Sequence, residues 1–303
     1  MTEICGLCPR GCAVRRNERR GFCGEGETVR IGRASLHPWE EPPISGTRGS
    51  GTIFFSGCTL RCAFCQNRAI SRDGVGGEIS VEGLARLMLD LQERGAHNLN
   101  LVTGTQFLPQ ILAALRMIEG ERRIPVVWNT GGYETEETVD ALSAYVSVWL
   151  PDFKYADPAL ARRLSAAADY PETAARAIAR MYRHAGAFTV DGDGIATRGV
   201  IVRHLVLPGC RKDSIAVLER LSALVPVEDI RLSLMWQYTP DFLPEGEEWN
   251  PFRRRVTSFE YDAVRRRAEE LGFLGFLQDR TAATAAYTPQ FSCGGEGEGV
   301  TVL

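Results

Sequence analysis

The chain has 303 residues, of which 44% are hydrophobic and 24% charged, and its formal net charge is −3. The 35 basic residues nearly balance the 38 acidic ones, so the composition argues against a general polyanion-binding protein and against nucleic acid as its partner. No apolar run approaches the length of about eighteen residues that a membrane helix needs, and no charged-then-apolar leader opens the sequence. We therefore expect a cytoplasmic protein that does not enter the membrane.

The nine cysteines are clustered along the chain. Four lie in the first 23 residues, three lie between 58 and 65, and single cysteines follow at 210 and 293. An odd count with close spacings favours metal ligation in a reducing compartment over a secreted disulfide framework.

The chain divides into three predicted regions. Residues 1–50 are a cysteine-rich segment and a linker, because the first part lacks a hydrophobic period and prolines and glycines interrupt the second. Residues 51–280 form the main domain. Residues 281–303 form a C-terminal extension that ends in a glycine-rich, acidic tail.

Short apolar runs alternate with amphipathic ones from residue 51 onward. The predicted strands span 51–57, 98–103, 125–129, 146–153, 199–207 and 230–236. The predicted helices span 81–94, 107–118, 134–144, 157–168, 172–185, 213–224 and 258–271. Six strands followed by helical sequence indicate a parallel sheet with right-handed crossovers, two units short of a closed barrel. We predict an α/β fold, a partial (β/α)6 parallel barrel with a small N-terminal cysteine-rich segment, whose ligands bind at the carboxyl ends of the strands.

Three thiols follow the first predicted strand directly, with the spacing C-x3-C-x2-C at Cys58, Cys62 and Cys65. A four-iron, four-sulfur cube takes four ligands, and this loop supplies three, which leaves one iron open to bind a small molecule. Buried free cysteines, or a zinc site completed from elsewhere, are the less favoured alternatives.

This motif, with Phe64 before the last cysteine, resembles that of the radical SAM superfamily, and the resemblance covers roughly residues 51–236. It implies that S-adenosylmethionine (SAM) chelates the open iron of a 4Fe-4S cluster. An electron from the cluster then cleaves SAM to methionine and a 5'-deoxyadenosyl radical, which abstracts hydrogen from a substrate.

Within that superfamily the chain is most similar to the group of pyruvate formate-lyase activating enzymes, and in it to a branch of uncharacterised iron-sulfur proteins. The motifs that carry this resemblance are C-x2-C-P-x2-C near the start of the chain, residues 40–58, and residues 100–103. The resemblance implies an electron donor such as flavodoxin or ferredoxin. It favours a protein substrate, by analogy with glycyl-radical activation, and leaves small molecules or RNA open.

Polar residues at the ends of the other strands are candidates for SAM binding. They are Thr103, Asn129, Thr130, Asp152, Lys154, Arg203 and Gln237. A lysine beside an aspartate at a strand end suits a zwitterion, so we expect Lys154 to pair with the SAM carboxylate and Asp152 either to bind a cation or to orient that lysine. By resemblance, Arg203 faces the SAM carboxylate or ribose. An ordinary ion pair at the barrel rim is the alternative for Asp152 and Lys154.

Two strand ends depart from the family pattern. After the second strand, where the family usually has an acid for the SAM amino group, the chain has Thr103-Gly104-Thr105. After the sixth strand, Gln237 stands where activating enzymes often have a histidine near the ribose and adenine, and its amide still donates and accepts hydrogen bonds.

Four further cysteines, Cys5, Cys8, Cys12 and Cys23, are enough to close one metal shell. A zinc site, a second iron-sulfur cluster that feeds electrons to the first, and a site empty in the purified protein all fit this spacing. The arginines at 10, 15, 16, 19 and 20 around these thiols are most simply a solvated face.

Taken together, these residues predict a radical SAM enzyme. The competing hypothesis is an iron-sulfur electron-transfer or metal-binding protein that does not cleave SAM.

Overall fold

The computed structural model describes residues 4–278. Its strands are β1 (Val29–His37), β2 (Ser50–Phe55), β3 (Gly77–Ile79), β4 (Leu99–Val102), β5 (Val126–Thr130), β6 (Val146–Pro151), β7 (Thr189–Val190), β8 (Ala196–Leu205), β9 (Arg231–Met235) and β10 (Gly275–Leu277). Its α-helices are α1 (Pro42–Ser45), α2 (Arg68–Ser71), α3 (Val81–Glu93), α4 (Leu108–Met117), α5 (Glu136–Leu142), α6 (Pro158–Ser165), α7 (Tyr170–Ala185), α8 (Arg211–Leu224) and α9 (Ser258–Glu270).

The strands form one sheet in the order β10-β9-β8-β6-β5-β4-β2-β1-β3, with β7 paired to β8. The run from β2 to β9 is parallel throughout, and each neighbour in it is the next predicted strand along the chain. Within residues 4–278 the sheet does not close on itself. The predicted partial (β/α)6 barrel is therefore confirmed, with β10 added in parallel to β9.

The helices cover the outside of the barrel with apolar faces that recur at helical spacing. On α3 the predicted positions Leu84, Leu87, Met88 and Leu91 are all buried, and the Ser80 hydroxyl caps the helix by accepting a hydrogen bond from the Gly83 amide. None of the helices in residues 4–278 is long and apolar enough to cross a membrane.

A second, smaller apolar cluster lies inside the barrel. Ile44 of α1 packs there with Val127, Val148 and Ile201 from three parallel strands. Two of these strands place polar side chains two residues further on, at Asn129 of β5 and at Arg203 of β8. The interior is thus apolar at one level and polar at the next level toward the carboxyl ends.

The region predicted as a linker contains a nine-residue strand. β1 pairs antiparallel with β2 and also with β3, so residues 29–37 extend the sheet of the main domain. The prolines that indicated a linker follow β1, where the chain turns into α1. The predicted extension over 281–303 lies outside the described residues.

Candidate active site

One cavity at the carboxyl ends of the parallel strands contains every predicted residue of the cluster and of the SAM site. These residues are Cys58, Cys62, Phe64, Cys65, Thr103, Asn129, Thr130, Asp152, Lys154, Arg203 and Gln237. They come from six different strand ends, which meet because parallel strands end at one edge of the sheet. The cavity is also lined by residues not predicted from the sequence, among them His37, Trp39, Glu40 and Gln66.

Each of the three thiols in the cluster loop (residues 57–65) accepts a hydrogen bond. The Leu60 amide donates to Cys58 Sγ at 3.4 Å, the Ser165 hydroxyl to Cys62 Sγ at 3.0 Å, and the Ser71 hydroxyl to Cys65 Sγ at 3.4 Å. Hydrogen bonds of this kind stabilise thiolate ligands and fix their orientation.

Burial also acts on these thiols. It raises the pKa of Cys58 to about 12 and raises the pKa of Cys65 as well, and the neighbouring thiolates add to the shift. Thiolates at these positions thus need positive charge beside them, which a bound iron-sulfur cluster provides. No group of three or more Cys, His, Asp or Glu side chains in residues 4–278 is arranged for a single metal ion. A cube differs because each thiolate binds its own iron atom.

The cluster loop begins at a glycine that is closely covered. Gly57 has a φ of +77°, and a Cβ there would lie 2.8 Å from the Cys23 carbonyl oxygen. Gln106 also holds the start of the cluster loop, because its Nε2 donates to the Ser56 and Thr103 carbonyl oxygens at 2.7 Å each. Gln106 therefore ties the end of β2 to the end of β4.

Asp152 lies between two basic side chains. It forms ion pairs with the Lys154 ammonium and, at 2.9 Å, with Arg203 Nε. Burial by itself would raise the pKa of Asp152, but Arg203 and Lys154 together lower it, so the carboxylate stays ionised. The pKa of Lys154 is raised, because its attraction to Asp152 outweighs the effect of burial.

Glu40 is a carboxylate of the cavity that sequence reasoning missed, and its side chain is only 10% exposed. Its Oε1 accepts hydrogen bonds from Asn100 Nδ2 at 3.1 Å and Asn129 Nδ2 at 3.2 Å, and its Oε2 lies 3.5 Å from Arg203. Burial raises the pKa of Glu40, and Arg203 opposes that shift. The sequence signals were indirect: Glu40 opens the motif over residues 40–58, and an asparagine lies inside the otherwise apolar strand LNLV of β4.

Thr130 and Thr103 contribute to the cavity in different ways. The Thr130 hydroxyl donates to the buried carboxylate of Glu134, so it is already engaged within the protein. Thr103 has a φ of +56°, in the left-handed region that β-branched residues avoid. Its amide donates to the Asn129 carbonyl at 2.8 Å, which holds the turn after β4 in place.

Gln237 and Phe64 line the opposite wall of the cavity. The Gln237 carbonyl accepts from Gln66 Nε2 at 3.0 Å, and its side-chain oxygen accepts from Gln278 Nε2 at 3.2 Å. The Phe64 ring packs against Tyr238 with the centroids 5.9 Å apart. These contacts join the cluster loop to the end of β9.

Comparison with known proteins agrees with this geometry. Residues 52–195 match the family model of the radical SAM superfamily. An uncharacterized protein of Methanocaldococcus jannaschii is 28% identical over 278 residues, which cover 88% of this chain and 74% of that protein.

Solved structures resemble the fold at low sequence identity. A radical SAM methyltransferase from Sphaerobacter thermophilus aligns with a TM-score of 0.50 and 16% identity, over 76% of this chain and 66% of that chain. The alignment therefore spans just under two thirds of that structure. A domain of pyruvate-formate lyase-activating enzyme from Bacteroides vulgatus aligns with a TM-score of 0.35 and 14% identity, over 66% of this chain and 91% of that domain. This TM-score is too low to bear on the resemblance to activating enzymes.

Proposed function

We propose that this chain, which matches the radical SAM superfamily over residues 52–195, is an enzyme that reductively cleaves SAM at a 4Fe-4S cluster held by Cys58, Cys62 and Cys65. The observation that carries the proposal is the convergence of these thiols with charged and polar strand ends in one cavity. When bound, the cluster supplies the electron that cleaves SAM to methionine and a 5'-deoxyadenosyl radical, which abstracts hydrogen from the substrate.

The strand ends suit the charges of SAM. Its carboxylate is expected to bind Lys154 and Arg203, two cations whose side chains are only 17% and 15% exposed. The neighbouring Asp152 keeps both in position. Gln237 and Asn129 offer amide groups for the ribose and adenine, and Thr103 and Thr130 complete the wall between them.

Glu40 is expected to fill the role of the acid that is missing after β4. A carboxylate held by Asn100 and Asn129 inside the cavity is suited to accept hydrogen bonds from the ammonium group of SAM. This part of the site would come from the segment before α1 rather than from a strand end.

The resemblance to activating enzymes favours a protein as the substrate and a flavodoxin- or ferredoxin-type protein as the electron donor. Both are proposals that rest on the resemblance of the motifs. A radical formed in this cavity is shielded by Phe64, Leu60 and Met235, whose side chains are nearly buried and exclude water.

Anaerobic reconstitution with iron and sulfide, followed by addition of dithionite and SAM, tests the proposal. We expect 5'-deoxyadenosine and methionine in equal amounts by liquid chromatography. The Cys62→Ala variant should form neither, and Cys210→Ala should form both, because Cys210 does not line the cavity. A chain that binds the cluster but yields no 5'-deoxyadenosine is an electron-transfer protein, and the proposal is then wrong.

A further inference from the structure

A second group of four thiols, Cys5, Cys8, Cys12 and Cys23, lies against the cluster loop from outside the cavity. We propose that these cysteines bind a second, fully ligated 4Fe-4S cluster, which receives one electron from a donor protein and passes it to the cluster at Cys58, Cys62 and Cys65. Its role as a relay rests on the proposed function, whereas its metal content does not.

The N-terminal segment (residues 4–24) folds so that its cysteines converge. Ile4 and Arg15 pair as an antiparallel bridge, and the Cys5 amide donates to the Val14 carbonyl at 2.9 Å. Between these ends the chain reverses in a turn closed by Gly11 N–H and the Cys8 carbonyl at 3.2 Å. The first three thiols therefore sit on one short hairpin.

Cys23 returns to the same place. A Cβ built at Gly21 would lie 3.5 Å from Cys12 Sγ and 3.7 Å from Cys23 Sγ. The Phe22 amide donates to Cys12 Sγ at 3.3 Å, the type of hydrogen bond that the thiols of the cluster loop also accept.

The place of the four thiols against the cluster loop favours an iron-sulfur cube over zinc. A zinc ion held by four thiolates at about 2.3 Å has no redox chemistry, so it could not pass an electron to the neighbouring centre. A cube spreads the same thiolates over four iron atoms. With four protein ligands it has no open iron, so it serves as an electron carrier and not as a second SAM site.

The N-terminal segment touches the cluster loop directly, which makes electron transfer between the two centres feasible. The Cys58 amide donates to the Cys23 carbonyl at 3.3 Å, and the chain at Gly57 has no side chain to separate them. Arg10 Nε donates to the Thr59 carbonyl at 2.7 Å, and Arg61 donates back to the Phe22 carbonyl at 3.3 Å. A ligand of one centre is thus hydrogen-bonded to a ligand of the other.

The electron count balances in this scheme. A reduced flavodoxin- or ferredoxin-type donor gives one electron to the outer cluster and is oxidised. The outer cluster gives that electron to the inner one and returns to its oxidised state. The inner cluster then transfers the electron to SAM, whose carbon–sulfur bond breaks, and returns to its own oxidised state.

Metal analysis of the reconstituted chain tests the site. We expect about eight iron atoms per chain in the wild type and in the Cys210→Ala control, and about four when either cysteine group is replaced by alanine. The proposal is overturned if the chain carries zinc in place of the second set of iron atoms, or if the variant without Cys5, Cys8, Cys12 and Cys23 keeps all its iron.

Should that variant fail to fold, Mössbauer spectra of the wild type decide whether a second cluster is present. The spectra should show two clusters, of which SAM changes the signal of one. Spectra that show only one cluster, whose signal SAM changes, would refute the second site.

The choice of reductant tests the relay. With reduced flavodoxin as the donor, loss of the four cysteines should lower 5'-deoxyadenosine formation at least about tenfold, whereas dithionite, a small reductant, should restore most of it. Equal loss with both reductants would overturn the relay. If the wild type forms no 5'-deoxyadenosine at all, the proposed function fails, while the iron count still stands as a test of the second cluster.

Discussion

At the scale of single residues, the cavity and its immediate surroundings carry more acid than base. Glu40 and Asp152 line the cavity and Glu41 lies beside it, and these three carboxyl groups interact with two cations, Lys154 and Arg203. Burial raises the pKa of both glutamates, and a buried carboxylate without a partner is costly. A cationic ligand removes that cost, and SAM brings an ammonium and a sulfonium. The imbalance of charge therefore prepares the site for a positively charged molecule.

Replacing Glu40 by glutamine should weaken SAM binding about tenfold, because a charge-assisted hydrogen bond contributes about 1.5 kcal/mol more than a neutral contact. Calorimetric titration of the reconstituted protein measures the affinity directly. Glu136→Gln is the control, since Glu136 lies in the first turn of α5, pairs with Arg183 and does not line the cavity. A SAM analogue without its amino group should bind the wild type and Glu40→Gln equally. Wild-type affinity for SAM in Glu40→Gln would refute the role of Glu40.

Thr103 is held in a backbone conformation that costs about 1 kcal/mol for a β-branched residue. Thr103→Gly should therefore raise the melting temperature by a few degrees, although the greater freedom of glycine in the unfolded chain offsets part of the gain. The same variant should bind SAM several-fold more weakly, because it lacks the hydroxyl in the cavity.

Ala166 provides the control for Thr103. It also has a left-handed φ, +50°, but it ends α6 outside the cavity. Ala166→Gly should stabilise the protein in the same way and leave SAM binding unchanged. If Thr103→Gly gains stability without any loss of SAM affinity, the strained turn serves the fold and not the ligand.

The predictable part of the site is the part that follows a strand directly. Cys58, Asn129, Asp152 and Arg203 could be predicted to lie together, and they line one cavity, because a parallel sheet brings its carboxyl ends together whatever the details of packing. Glu40 was not found, because its position depends on how the chain between β1 and α1 enters the barrel. That path is set by contacts with residues far away in the sequence, such as Ile44 with Val148.

At the scale of elements, the alternation of short apolar and longer amphipathic runs was sufficient to predict the six parallel strands β2, β4, β5, β6, β8 and β9. β1 was missed because five residues of its pattern are only partly buried, and prolines follow it closely. β3, β7 and β10 are two or three residues long, too short for a hydrophobic period to show. Edge strands of this kind form only when a neighbouring strand offers them a ladder of hydrogen bonds.

β8 carries a buried histidine that should make stability depend on pH. His204 is 1% exposed, its Nδ1 lies 2.7 Å from the Phe153 carbonyl, and its Nε2 has no partner among the described residues. Burial lowers the pKa of His204 to about 4, from 6.5 in the unfolded chain. The neutral ring therefore stabilises the fold fully above pH 6.5, and that stability is lost as the pH falls from 6.5 toward 4.

Denaturation of the wild type at about pH 7.5 and about pH 5.5 should show a loss of about 1 kcal/mol from this histidine. His204→Gln, which keeps a donor for the Phe153 carbonyl, should show a smaller loss over the same interval. His184→Gln is the control, because His184 lies half-exposed beside Asp140. An equal pH dependence in the wild type and in His204→Gln would contradict the assignment.

At the scale of the whole molecule, the N-terminal segment is docked on the barrel by arginines. Sequence reasoning treated these arginines as a solvated face, and for two of them that interpretation is wrong. Arg16 is 8% exposed and donates to the carbonyls of Gln106 and Gly26. Arg10 reaches the cluster loop and the end of α6. The spacing of charges in a sequence cannot distinguish a solvated arginine from one that satisfies carbonyls on a neighbouring element.

Removing Arg10 should release the N-terminal segment from the cluster loop. Its guanidinium donates to the carbonyls of Thr59 and Ser165 at 2.7 Å each and stacks 3.9 Å above the Phe22 ring, so Arg10→Ala should cost about 1.5 kcal/mol. Amide hydrogen exchange followed by mass spectrometry should then be about tenfold faster in residues 4–24 and in the cluster loop, while α3, on the outside of the barrel, stays protected. Arg19→Ala, at an exposed arginine of the same segment, should leave exchange unchanged. Slow exchange in Arg10→Ala would mean that the segment is held by its own packing, and that Arg10 does not couple it to the cluster loop.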